Sequence, residues 1–374
     1  MFVSFLGLGQ GGSNVAEVAA VNGFYSGAIN YSSKDLESLT EVHHKLTLIG
    51  SEGVGKQRSE AIRLMSSNWD LATNFVKENF SHPSIQIIFV PFSTGGGSGS
   101  GIAPVLLNML IDLMPDKVFV AMPIIPDLTE AYTNQVNCLD TFEDLSQLDV
   151  SILPIDNEQL RSSSSSVGKV NLLRKTNEKV IQLINEVINY TEKPSPYSVL
   201  DKKDFLNIFR AKGFACISEV QITDLSIPFE VSETSFSEKI QSSWETSPFA
   251  KIEYEQIVSA GLIFDGQEKL MDCLNMNKVF SKFKNKMPIS LFEGSYTNNK
   301  GKVISILSGL TICKRRLDQI EDMIEESQES VNALSNVQKE YKSRIGKRPI
   351  EQQNEKRKQP TVKDISAMIN KFKR

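Results

Sequence analysis

The stretch "FSTGGGSGSG", Phe92 to Gly101, holds five glycines in ten residues, and most of the others are small and hydroxylated. It follows "IQIIFVP", Ile85 to Pro91, an apolar and β-branched run that predicts a buried strand. Behind it, "IAPVLLNMLIDLM" has helical spacing, with Pro104 in the first turn, where a missing N–H leaves nothing unsatisfied. The local order is strand, glycine loop, helix. Successive unobstructed N–H groups at the positive end of a helix dipole form an anion cradle.

The chain has 374 residues, 40% of them hydrophobic, and a formal net charge of −4, enough for two moderate domains with real cores. Cys138, Cys216, Cys273 and Cys313 stand singly in apolar surroundings, which predicts buried reduced thiols rather than disulfides. The three histidines have no ligand spacing, so no metal site is expected. The start "MFVSFLGLGQGG" lacks a basic leader region, and no apolar run is long enough to span a bilayer. These features predict a soluble, cytoplasmic protein.

Over the first 160 or so residues, strand-like segments alternate with helical patterns. Candidate strands are Phe2 to Leu8, Gly27 to Tyr31, Leu46 to Ile49, Ile85 to Pro91, Val118 to Ile124 and Val150 to Ile155. Such alternation predicts an α/β fold with a doubly wound parallel sheet whose ligands sit at the carboxyl ends of the strands. The sheet domain is expected over 1–167. "RSSSSSVGK" then reads as a flexible connection into a long amphipathic central helix, with its connection over 168–200. A smaller α+β second domain follows over 201–312, with a helix from Lys202 to Lys212. Its strands are expected near Phe214 to Ile222, Ile257 to Phe264, Pro288 to Gly294 and Lys302 to Thr311. A charged C-terminal helix over 313–341 and a basic tail over 342–374 complete the chain.

Three glycine motifs compete for the anion. Gly7, Gly9 and Gly12 in "GLGQGG" have the G-x-G-x-x-G spacing of a dinucleotide-binding turn, but the second strand ends in Asn30 where a ribose-binding acid is wanted. Gly50 to Lys56, "GSEGVGK", fits G-x-x-x-x-G-K, yet Gln57 follows where a phosphate-binding loop needs Ser or Thr for magnesium; it reads as an ordinary polar loop. The opening stretch supplies the third. Two glycine loops ending two strands of one parallel sheet can converge on a single polyphosphate.

With these residues in view, the chain resembles the tubulin/FtsZ superfamily. "GGGSGSG", Gly95 to Gly101, is similar to the tubulin signature GGGTGSG with Ser98 in place of threonine. "GLGQGGSN" resembles the first phosphate loop of FtsZ. "IDNEQL" resembles the loop near the base, and "LDKKDFLNIFRAKGFACI", Leu200 to Ile217, the loop and helix by which one FtsZ subunit reaches its neighbour's nucleotide. The short chain, long charged terminal helix and basic tail look most like TubZ, the plasmid- and phage-borne group.

The resemblance implies GTP or GDP with Mg2+. Gly9, Gln10, Gly11, Gly12 and Asn14 would wrap one side of the phosphates, and Gly95, Gly96, Gly97, Ser98 and Gly99 the other. Asp127 matches the ribose-binding acid, with Glu130 as a substitute. Asn177 would read guanine, its amide offering both a donor and an acceptor, and Asp156 or Asn157 would contact the base from the other side. Asp201 and Asp204 resemble the catalytic acids that orient water on the neighbouring subunit's nucleotide. Alone, that D-x-x-D spacing at a helix start reads as N-capping. FtsZ carries Asn where this chain has Val199, which bears on the hydrolysis rate.

The implied function is a filament-forming GTPase, activated by head-to-tail polymerisation, that segregates or positions plasmid or phage DNA. The alternatives are an FtsZ-type division-ring protein, a non-hydrolysing tubulin homologue and an NAD-binding oxidoreductase. His43 and His44 read as a surface pair in a loop. The tail from Tyr341 carries eleven Lys or Arg against three acids, a net of +8, while the residues before it carry −12. In "VKDISAMINKFKR", Val362, Ile365, Met368, Ile369 and Phe372 follow helical spacing. The tail is therefore expected to hold a DNA-binding adaptor and to reach DNA indirectly; direct DNA binding is its rival.

Overall fold

The computed structural model describes residues 2–163, 168–222, 232–298 and 300–335. Met1–Glu329 form one compact unit; of Ser330–Arg374, the described part is the end of a helix. The basic tail and most of the serine run lie outside the described residues.

The first half alternates as the sequence predicts: β1 Val3–Leu8, α1 Gly9–Val21, β2 Tyr25–Asn30, α2 Ser33–Glu37, β3 His44–Thr47, α3 Arg58–Phe80, β4 Ile87–Ser93, α4 Ser98–Leu113, β5 Val118–Ile125 and α5 Tyr132–Ser146. Two short strands, β6 Ser151–Ile152 and β7 Ile155–Asp156, lead into α6 Asn157–Ser163 and the central helix α7 Lys169–Tyr190. Then come α8 Lys202–Arg210, β8 Gly213–Gln221, α9 Glu233–Thr246, β9 Ser259–Asp265, α10 Met276–Val279, β10 Ser290–Tyr296, β11 Lys302–Leu310 and α11 Lys314–Ser335.

All these strands belong to one sheet in the order β10-β9-β11-β8-β6-β5-β4-β1-β2-β3, with β7 paired to β5. From β3 to β8 every pairing is parallel, whereas β11 runs antiparallel to both β8 and β9. The chain winds outward from β1 to β2 and β3, then returns through β4, β5 and β6. The order therefore reverses between β1 and β4, and a crevice opens beyond their carboxyl ends.

Burial explains why these strands read as continuous apolar runs. All six residues of β1 are buried, as expected of a strand covered on both faces. Phe5 of β1 stacks on Phe89 of β4 with ring centroids 5.3 Å apart. The expected strand from Val150 to Ile155 is instead broken in two. Pro154 has no N–H to give the ladder, and its carbonyl accepts from Ala250 N at 2.8 Å. Of the histidine pair, His43 is exposed and lies outside the strand, its Nδ1 accepting from Ser26 N at 3.3 Å, but His44 opens β3, its Nε2 2.8 Å from the Tyr25 hydroxyl. The cysteines are free thiols, and burial pushes Cys138 and Cys216 up to about 12, which keeps them protonated and unreactive.

Candidate functional site

A cleft of about 540 Å³ lies at the reversal point, beyond the ends of β1 and β4. Two helix N-termini contribute to its wall. Gln10, Gly11 and Asn14 face it from α1, and Gly96, Gly97, Ser98 and Gly99 from the start of α4. Neither helix carries an acid in its first turn, so the positive dipole ends are not neutralised locally.

Absent Cβ atoms allow this approach. Gly9 has φ +66, and a Cβ there would lie 2.6 Å from Gly99 N. A Cβ on Gly12 would lie 1.9 Å from the carbonyl oxygen of Pro91. Gly9, Gly12 and Gly95 are therefore packing positions behind the cleft, where the sequence placed them around the phosphates. Gly96 differs: it lines the cleft, and a Cβ there would make only an ordinary van der Waals contact, 3.8 Å from the Ser93 side chain.

In the same cleft, α7 presents Leu173 and Asn177, one turn apart, opposite Asn157 at the start of α6. An apolar side chain beside two amides suits a flat heterocycle with polar edges.

Three sequence expectations change here. Asp127 is buried away from the cleft, where its carboxylate accepts from Thr129 N at 2.9 Å and pairs with Arg161 at 3.3 Å. Glu130 lines the cleft instead. Asp156 is also withdrawn: it is 1% exposed, and Arg316 Nε donates to both its carboxylate oxygens at 3.0 Å. Burial raises the Asp156 carboxyl, and the Arg316 charge opposes that rise. Of the two base-loop candidates, only Asn157 reaches the cleft. Finally, "GSEGVGK" is no ordinary loop: Glu52, Gly53, Val54, Gly55 and Lys56 line the cleft. Asp35 and Leu173 were also missed. Arg316 gave no signal in the sequence, because only the fold brings α11 to the base loop.

Asp201 and Asp204 stand elsewhere. They form a reciprocal cap on α8: Lys203 N and Asp204 N donate to Asp201 Oδ1 at 2.7 and 2.9 Å, and Asp201 N donates to Asp204 Oδ2 at 3.0 Å. Behind the cap, Phe205 meets Phe2 with ring centroids 6.4 Å apart, so α8 lies against the amino end of β1. The cleft lies beyond Leu8 at its carboxyl end. At a rise of roughly 3.3 Å per residue, the length of β1 puts about 20 Å between them.

Residues 3–165 match the family model for the Tubulin/FtsZ family GTPase domain. Over those residues the chain is similar to the tubulin/FtsZ superfamily. Among its relatives, the tubulin-like protein CetZ of Pyrococcus horikoshii is 24% identical over 82% of this chain and 84% of its own length. The tubulin-like protein TubZ of Clostridium botulinum C phage is 27% identical over 58% of this chain and 59% of its own. In fold, the chain is similar to the crystal structure of Clostridium botulinum phage c-st TubZ, with a TM-score of 0.71 and 21% identity over 88% of this chain and 98% of that one. It is also similar to TubZ-Bt in a helical model of its two-stranded filament, with a TM-score of 0.75 and 18% identity over 92% and 94% of the two chains. The match over residues 3–165 implies GTP or GDP as the ligand of that domain and supports GTP hydrolysis as its chemistry. The oxidoreductase reading falls with it. No helix among the described residues is long and apolar enough to cross a membrane, and none of their acidic, His and Cys side chains group to hold a metal ion.

Proposed function

We propose that this tubulin-like chain hydrolyses GTP only once a second copy stacks on it head to tail, and that the resulting cytoplasmic filament moves plasmid or phage DNA. One observation carries the reading: the cleft and the Asp201–Asp204 pair occupy opposite ends of the same central strand. An acid pair about 20 Å from its own cleft acts on a nucleotide only by meeting the cleft of the next subunit. Capping does not compete with this role. The capping carboxylates would orient a water molecule on the neighbouring subunit's nucleotide. Mg2+ would enter on the phosphates, as it ordinarily keeps several waters and takes only one or two protein oxygens. Asn177 and Asn157 would read the base, and Glu130 the ribose.

The DNA cargo is supported by the phage TubZ relative and by the +8 tail, proposed here as the adaptor's docking segment. A second reading, a filament without DNA cargo, is favoured by the greater reach of the CetZ matches, up to 91% of this chain. Light scattering and phosphate release with GTP, GDP, ATP or NAD test the core proposal. Assembly with GTP above a critical concentration, followed by phosphate release, is expected. Equal assembly with ATP, or hydrolysis at full rate in monomers, would refute it. Retention of DNA by filaments in the presence of the adaptor separates the two cargo readings.

A further inference from the structure

The cleft is lined by four charged side chains: Asp35, Glu52, Glu130 and Lys56. Among the described residues that line it, Lys56 is the one cation and offers a polyphosphate a full positive charge. Its neighbour Arg58 is committed elsewhere, bonded to Asp144 and Thr141, whereas Lys56 has no described carboxylate within ion-pair distance.

Its backbone is unusual as well. Lys56 has φ 66, and Lys286 is the only other described non-glycine residue with positive φ. A left-handed lysine persists only where its surroundings impose the conformation. Here they do. Asn137 Nδ2 donates to the Lys56 carbonyl at 3.0 Å, Gln57 N closes a turn onto Val54 O at 2.9 Å, and the buried Val54 anchors the loop. The loop also meets the N-terminus of α4, where a Cβ on Gly97 would lie 2.9 Å from Lys56 Cα. Lys56 is thus held in the cleft beside the glycine loop that opens α4, where Asn137 Nδ2 also reaches the Gly95 carbonyl at 3.3 Å.

We propose that Lys56 is a specificity-determining residue that reads the terminal phosphate and so favours a nucleoside triphosphate over a diphosphate. The inference rests on the proposed nucleotide occupying the cleft with its base against α7. A compact ammonium with three donors suits a terminal phosphate, which carries the charge by which triphosphate and diphosphate differ.

The test uses the full chain below its assembly concentration, displacing a fluorescent GDP analogue with GDP or GTPγS. Lys56→Gly keeps the loop, because glycine adopts the left-handed conformation freely; Lys56→Gln keeps the length without charge, and Lys56→Arg keeps the charge. For the Gly and Gln variants, the ratio of GTPγS to GDP affinity is expected to fall about tenfold, the scale of one charge-assisted contact. The Arg variant should retain most of the ratio. An unchanged ratio in both uncharged variants would overturn the assignment, as would an equal loss of both nucleotides, which marks a structural loop. Failure of the unmutated chain to bind either nucleotide would instead overturn the nucleotide reading of the cleft, and this inference with it.

Discussion

Replacing Arg316 with methionine should expose how far the base loop depends on α11. Arg316 is 4% exposed; it spans the Asp156 carboxylate at 3.0 Å through Nε and holds the Pro126 carbonyl at 2.7 Å through Nη2. Its removal strands a buried carboxylate, and breaking such a pair costs about 3–5 kcal/mol. The Nη1 atom is buried without a described partner, so the original pair is incompletely satisfied and the loss belongs near about 3 kcal/mol. At about 2 °C per kcal/mol for a chain of this size, the melting temperature should drop by about 6 °C. Burial already raises the Asp156 carboxyl, and without Arg316 nothing of comparable strength opposes it. A carboxyl whose folded pKa exceeds its unfolded value stabilises the fold fully below the unfolded pKa and loses that contribution as pH rises through the folded one. The deficit of the variant should therefore shrink on acidification from neutral pH toward about 4.5, just above the unfolded carboxylate pKa. Adding Asp156→Asn should recover most of the loss at neutral pH. Differential scanning fluorimetry across pH checks all three outcomes. A loss under about 1 kcal/mol, or a deficit that widens in acid, would refute the reasoning.

Other perturbations separate packing from chemistry. Asp201→Ala or Asp204→Ala should cost about 1 kcal/mol through the lost cap and leave nucleotide binding intact, while phosphate release slows and filaments persist in light scattering. Gly12→Ala, with its Cβ 1.9 Å from Pro91 O, should destabilise by about 3 kcal/mol or more, measured by denaturant unfolding. Gly96→Ala should melt as the parent does yet bind GTP more weakly, because its Cβ enters the cleft. Deletion of Ile350 to Arg374 should preserve GTPase activity and filaments but abolish capture of an adaptor–DNA complex at physiological salt.

The parallel strands were legible because burial on both faces writes β1 and β4 as unbroken apolar runs. The joining of the two halves was not. It rests on two short pairings, Ser151 with Gly213 and Ile152 with Phe214, which leave no periodic trace. Helix α9 went unread for a different reason. Its serines and threonines favour caps and turns, which obscures the buried stripe of Phe236, Ile240 and Trp244. The base loop was located but wrongly weighted: Asp156 and Asn157 are adjacent, and only the unforeseen Arg316 decides which of them faces the cleft.

The glycine motifs carried a signal whose cause lies in packing more than in ligand contact. A Cβ on Gly7 would lie 2.6 Å from Gly12 O, one on Gly99 2.8 Å from Leu8 O, and one on Gly101 2.6 Å from the Ala61 Cβ. These positions are bare because α1, α4, β1 and the start of α3 close on one another, which forces two helix N-termini together. That convergence is what a polyphosphate needs, so the spacing reports an anion site without naming its occupant. A dinucleotide-binding turn and a tubulin-like cradle meet the same steric demand at Gly7, Gly9 and Gly12, which is why "GLGQGG" alone could not separate them. The choice between them falls to side chains outside the glycine runs. Leu173 and Asn177 come from a central helix, Asn157 from the base loop, and Lys56 from a loop whose one-residue departure from a phosphate-binding motif hid its place in the cleft.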